Sequence, residues 1–150
     1  MMNKIKNIST FFCAILIVTY IIHIALIYKT LPESLPTHFN FAGNPDGFGD
    51  RISVIFEPLI SALVVIIVEI ISHFPQLCNY PVKVTDENRD ILYAITMVMT
   101  SIIKAFVTII LLYAGLCSIY SFLPISLIYV FVTLLFVVII GSILIMIKAR

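Results

Sequence analysis

Four stretches of this chain, at about residues 10–28, 56–74, 91–114 and 125–147, are apolar and carry very little charge. Each is close to the roughly 20 helical residues that cross a bilayer core. Inside hydrocarbon every backbone N–H and C=O has to be satisfied internally, so continuous apolar runs of this length read as helices. Composition agrees: 61% of residues are hydrophobic and 11% charged, against roughly a quarter charged in soluble domains. The expected fold class is an all-α integral membrane protein, a single polytopic domain over residues 1–150 with four transmembrane helices. The second run is the least clean, since Glu57 and Glu69 fall inside it, and Pro58 suits a first helical turn, where its missing N–H costs nothing.

The basic flank before the first run resembles that of a signal peptide, but the run is too long and no small-residue cleavage site follows, so it reads as a retained signal anchor and first span. Four spans place Lys4, Lys6, Lys83, Arg89, Lys148 and Arg150 on one side and only Lys29 and Arg51 on the other. Basic residues favour the cytoplasmic side. Both termini and the loop at 75–90 are therefore expected in the cytoplasm of a bacterial cell, and the loop at 29–55 outside it. The short uncharged turn around Ser121 makes the last two spans a tight antiparallel hairpin.

The outer loop is unusually rich in Pro, Gly, Asn and Asp. Alternation over 37–41 predicts a short half-buried strand, with Thr37, Phe39 and Phe41 on one side and His38 and Asn40 on the other. Asn44-Pro45-Asp46-Gly47 predicts a turn, with Pro45 presetting φ and Gly47 closing it. Such a loop is either a compact cap over the helix ends or a recognition surface exposing His38, Asn40, Asp46 and Asp50. A calcium loop is the rival for Asn44, Asp46 and Gly47, but it fails where Ala42 and Ser53 stand at the first and last ligand positions.

The order of Leu31, Pro32, Pro36, His38, Phe39, Asn40, Gly43, Pro45, Asp46, Gly47 and Arg51 resembles the signature of a bacterial membrane domain of unknown function found at the amino end of SdpI-type proteins. Those proteins confer immunity to a secreted killing peptide. The resemblance covers the loop and, by hydropathy, the first two or three helices. It implies an extracellular peptide as ligand and brings no catalytic residues with it.

Charge within the spans is the other informative feature. Burying a charge at bilayer depth costs at least about 2.5 kcal/mol, so Lys104, in the middle of the third run, needs a partner or a wet cavity. Thr96, Thr100, Lys104 and Thr108 recur every four residues as one polar ridge, and Glu57, Ser61, Glu69 and His73 form a second, interrupted by Val65. The two ridges should face each other. Counting helical rise from the expected ends, Glu57 is the preferred partner of Lys104 and Glu69 the alternative. Both carboxylates reaching the interface while Lys104 snorkels is the competing arrangement. His23, one turn after Thr19, reads as a buried hydrogen-bonded residue and not as a ligand.

Cys13, Cys78 and Cys117 are too widely spaced for a zinc site or a disulfide framework and read as packing residues. No nucleophile elbow, zinc-protease pair or phosphate loop appears, so no catalytic residue, metal or cofactor is expected. The net charge of +1 gives no nucleic-acid surface. The expected partners are the lipid bilayer, an extracellular peptide and further copies of the chain. Two functions then compete: a binding protein with an immunity or sensing role, and a small oligomeric proton- or ion-coupled transporter using Glu57, Glu69 and Lys104. An accessory structural membrane subunit is the third reading.

Overall fold

A computed structural model describes residues 2–149. Arg150, one of the basic residues counted above, lies outside the described residues. Four helices dominate: α1 (Met2–Ile27), α2 (Phe56–Ser72), α3 (Arg89–Ile119) and α4 (Ser126–Lys148). All four belong to segments long and apolar enough to cross a membrane. Between α1 and α2 the chain forms an antiparallel hairpin of β1 (Ser34–Phe39) and β2 (Pro45–Asp50), bracketed by short 3-10 turns at Tyr28–Thr30 and Arg51–Ile55. The expectation of an all-helical fold is therefore corrected by one small sheet within the ordered loop.

Helices α1, α2 and α3 pack on one another, and α4 packs chiefly against α3. Lys104 of α3 lies level with Thr10 of α1 and Glu69 of α2, whereas Gly115 of α3 lies beside Tyr20 and Glu57. These two levels fix α1 and α3 as parallel and α2 as antiparallel to both. Ile125, at the start of α4, lies beside Gly43 of the hairpin, so α4 descends alongside α3. One end of the bundle thus carries the hairpin and the opposite end carries both termini.

The core runs along the three-helix interface through Cys13, Ile17, Tyr20 and Ile24 of α1, Val65 of α2 and Leu112 of α3. Leu31, Leu35 and Val54 extend it into the hairpin, so the loop is plugged into the helices by apolar side chains. Helix α4 is different: Met146 is its buried residue, a half-buried stripe including Phe131, Leu135 and Val138 lies toward α3, and the remaining side is exposed. Apolar outward faces are what a lipid environment requires.

The strand and turn fall a few residues away from their expected positions. Pairing runs from Ser34 opposite Asp50 to Phe39 opposite Pro45, with irregular register around His38. The turn is not at 44–47, which lies mostly in β2, but at Asn40–Asn44. There the Asn40 side chain accepts the N–H groups of Ala42 and Asn44 at 2.9 and 3.1 Å, and Gly43 takes φ 83°. An Asx-type bond closes this turn more directly than Pro45 would, and Gly43 is where a left-handed residue is needed.

Candidate functional site

The polar ridges meet at Lys104 and Glu69, and a second, upper polar level lies about three turns away. At the lower one Lys104 is 1% exposed, and its Nζ donates to Glu69 Oε2 at 2.7 Å and to Thr10 Oγ1 at 2.6 Å. Lys6 Nζ lies 3.4 Å from Glu69 Oε1 and 2.9 Å from His73 Nε2. The His73 ring in turn bonds the Glu69 carbonyl through Nδ1 at 2.7 Å. One carboxylate thus serves two lysines and ties α1, α2 and α3 together. Ser9, which donates to the Ser101 carbonyl at 2.7 Å, adds a neighbouring α1–α3 link.

The partner of Lys104 is Glu69, which corrects the preference for Glu57. Helix α3 begins well beyond the end of α2, and its first three turns continue past Ser72 to pack on the 75–88 connection, where Thr96 bonds Tyr80. Counting rise from nominally level helix ends therefore shifted the register by about three turns. Glu57 instead sits beside Gly115, and the 11 residues from Lys104 to Gly115 correspond to about 16 Å of helix. No lysine side chain bridges that separation.

At the upper level the polar groups are not satisfied. Among the described residues, Tyr20 OH, Glu57 Oε2 and Ser61 Oγ are buried side-chain atoms without a hydrogen-bond partner in the protein. Ser61 is fully buried and Tyr20 is 5% exposed. Gly115 makes room for them: a Cβ there would lie 3.1 Å from Glu57 Cγ and 3.1 Å from Tyr20 Cζ, with the phenol oxygen closer still. A cleft of about 360 Å³ between α1 and α3, lined by Thr19, Tyr20, His23 and Leu112, opens beside this level.

His23 is half-buried and shares a hydrogen bond of 2.8 Å with the Tyr120 hydroxyl, the rings 5.8 Å apart. It therefore links α1 to the end of α3, with no metal-ligating group gathered around it among the described residues. Cys13 and Cys117 are buried and all three cysteines are free.

The four loop candidates divide by role. His38 Nδ1 and Asp46 Oδ1 are hydrogen-bonded across the strands, both exposed on the outer face. Asn40 is spent on the turn, and Asp50 caps the following 3-10 turn by accepting from Ile52 N at 2.9 Å. Beside the His38–Asp46 pair, Phe41 is 97% and Phe48 64% exposed. Sequence reasoning did not single out Phe48, nor Lys6, Thr10, Tyr20 and Tyr120. The spacing of Lys6 and Thr10, one helical turn apart ahead of the first apolar run, is the signal that was available for two of them.

Residues 14–62 match a family model described as Domain of unknown function (DUF1648). This segment holds the second half of α1, the whole hairpin and the start of α2, and so contains Tyr20, Glu57 and Ser61 but not Glu69, Lys104 or Gly115. An "Uncharacterized protein" of Archaeoglobus fulgidus is 35% identical over 78 residues, 43% of this chain and 43% of its own length. The chain thus spans well under half the length of that relative. No solved structure matches. The chain is similar over its first third to a domain whose function is unassigned, and the four apolar helices make it a multi-pass membrane protein.

Proposed function

We propose that this protein is a binding protein of the bacterial cytoplasmic membrane, without enzymatic activity, whose hairpin faces the outside and engages an extracellular peptide or envelope component. The observation that carries this reading is the two-sided hairpin. Its inner side is locked into the helical core by Leu35, with Leu31 and Val54, while its outer side exposes Phe41 and Phe48 beside the His38–Asp46 pair. An anchored frame loses little entropy when a ligand docks on it, and exposed aromatic rings next to polar groups are typical of binding surfaces. The DUF1648 match over the hairpin is compatible with the resemblance to the amino end of SdpI-type proteins, and an immunity or sensing role follows from that resemblance.

A sensitive bacterium expressing this chain, challenged with the killing peptide that SdpI-type proteins neutralise, is the direct test. Survival is expected, and the double substitution His38→Ala, Asp46→Ala should remove it while membrane level and melting temperature stay near normal. Unprotected wild-type cells containing correctly inserted protein would overturn the immunity role. The transporter reading is favoured by one observation, the enclosed Glu57 Oε2 without a hydrogen-bond partner, because Glu69 and Lys104 are committed to each other.

A further inference from the structure

Each oxygen of the upper polar level is hard to leave as it stands. A buried hydroxyl without a partner costs about 1–3 kcal/mol, and Glu57, half-buried as a residue, has its Oε2 enclosed without a partner, which adds a desolvation cost of its own. Glu57 lies in the first turn of α2, where the helix end contributes roughly half a positive charge. That compensates a carboxylate only in part. Three cations are engaged elsewhere: Lys104 and Lys6 are bound to Glu69, which lies 12 residues, about 18 Å, further along α2, and Arg51 sits over the Tyr28 ring.

Two of the three side chains meet at Gly115, and the third lies one helical turn away. Tyr20 and Glu57 converge on the bare face of Gly115, and Ser61 follows Glu57 by one turn on the same face of α2. The set consists of one carboxylate, one phenol and one alcohol, which is a hard oxygen environment with a single formal negative charge. Hard oxygen donors suit alkali and alkaline-earth ions, and a single acid matches one positive charge. Nitrogen or sulfur ligands that would favour a transition metal are not gathered here among the described residues.

We infer that Tyr20, Glu57 and Ser61 form an intramembrane site for one small monovalent cation, sodium in size, with Gly115 providing the space. Glu57 supplies the charge, and the two hydroxyls supply neutral oxygens and turn their protons away from the ion. The cleft beside Tyr20 is the side from which the level is reached. The site joins α1, α2 and α3 about 16 Å above the Lys104–Glu69 clamp, so an occupying ion stabilises the same three-helix unit. It depends on neither ligand binding at the hairpin nor transport.

The purified full-length chain in detergent tests this directly. Melting temperature is followed while NaCl replaces N-methylglucamine chloride at constant ionic strength and pH, with LiCl and KCl in parallel, and ²²Na⁺ binding is measured by equilibrium dialysis. Expected are saturable stabilisation by sodium, about one bound ion per chain, loss of both in Glu57→Gln, and affinity weakened about tenfold in Tyr20→Phe, as for one lost hydrogen bond. His38→Ala should bind sodium normally, which separates this site from the hairpin. Absence of saturable ion binding by the wild-type chain, or stability that follows pH alone and ignores every cation, would overturn the inference. Because the wild-type titration decides the matter, a Glu57→Gln chain that fails to fold leaves the test intact.

Discussion

Replacing either partner of the Lys104–Glu69 pair should destabilise the fold, but unequally, and the structure sets the order. After Glu69→Leu, Lys104 remains 1% exposed with only the Thr10 hydroxyl within reach, and Lys6 loses its carboxylate as well. Leaving a buried charge uncompensated costs about 3–5 kcal/mol. After Lys104→Met, Glu69 is less isolated: it is 23% exposed, keeps the Thr10 hydrogen bond at 2.7 Å, and keeps Lys6 at 3.4 Å. The loss there is closer to that of one charge-assisted hydrogen bond, about 1.5–3 kcal/mol. The double variant should lose less than the sum of the two single losses, with a coupling of about 1–3 kcal/mol. Reversible unfolding in mixed micelles, followed by circular dichroism for the four members of the cycle, measures all of this. Equal single losses, or strictly additive ones, would refute the view that Glu69 is shared between two lysines. Glu57→Gln combined with Lys104→Met supplies the control, and should show no coupling across about 16 Å.

Four further outcomes are expected. Single cysteines at Asn44 and at exposed Glu87, in a background lacking the native cysteines, should differ on intact cells, with an impermeant maleimide labelling only Asn44→Cys; the reverse pattern would invert the proposed orientation. Asn40→Ala removes the acceptor of two N–H groups and should loosen the turn by about 1–2 kcal/mol, seen as faster amide exchange at Ala42 and Asn44 with little change in the helices. Gly115→Ala should lower the melting temperature, because the added carbon meets the Tyr20 hydroxyl and Glu57, and restoring space with Tyr20→Phe should recover part of the loss. Phe41→Ser with Phe48→Ser should leave stability within about 0.5 kcal/mol, as for surface substitutions, while weakening any ligand held by the hairpin.

The four spans were legible because twenty-residue apolar runs admit few alternatives in a bilayer, and the two ridges were legible because polar residues at a spacing of four must share a face. Registration between helices was not. Glu69 and Glu57 lie on one row of α2, and choosing between them required knowing that α3 starts about three turns beyond the end of α2, which depends on how the 75–88 connection folds over it. The hairpin shows the same limit at shorter range. Pro45 and Gly47 have strong turn preferences, yet the cross-strand packing of Leu35 into the core and the capacity of Asn40 to close on Asn44 moved the turn toward the amino end. Lys6 entered only the count of basic residues on one side, whereas α1 starts at Met2 and carries its side chain to Glu69.

The distribution of polar groups also sets α1, α2 and α3 apart from α4. Lipid tails are as apolar as leucine, so helices in a membrane associate through packing and polar contacts and not through hydrophobic burial alone. Helices α1, α2 and α3 have polar contacts at the Lys104–Glu69 level and close packing at Gly115, and Leu35 and Val54 tie the hairpin to the same unit. Helix α4 contributes nothing to either level. Its contacts are the antiparallel face of α3, the Tyr113–Phe131 ring pair and the bond from Tyr129 to the Phe41 carbonyl. The three-helix unit with its hairpin therefore holds the polar links between helices, and α4 is held against it chiefly by apolar packing on α3. Loosening α4 should leave the Lys104–Glu69 clamp in place, but it should release the tip of the hairpin at Phe41, so this helix is positioned to modulate the surface on which the proposed ligand docks.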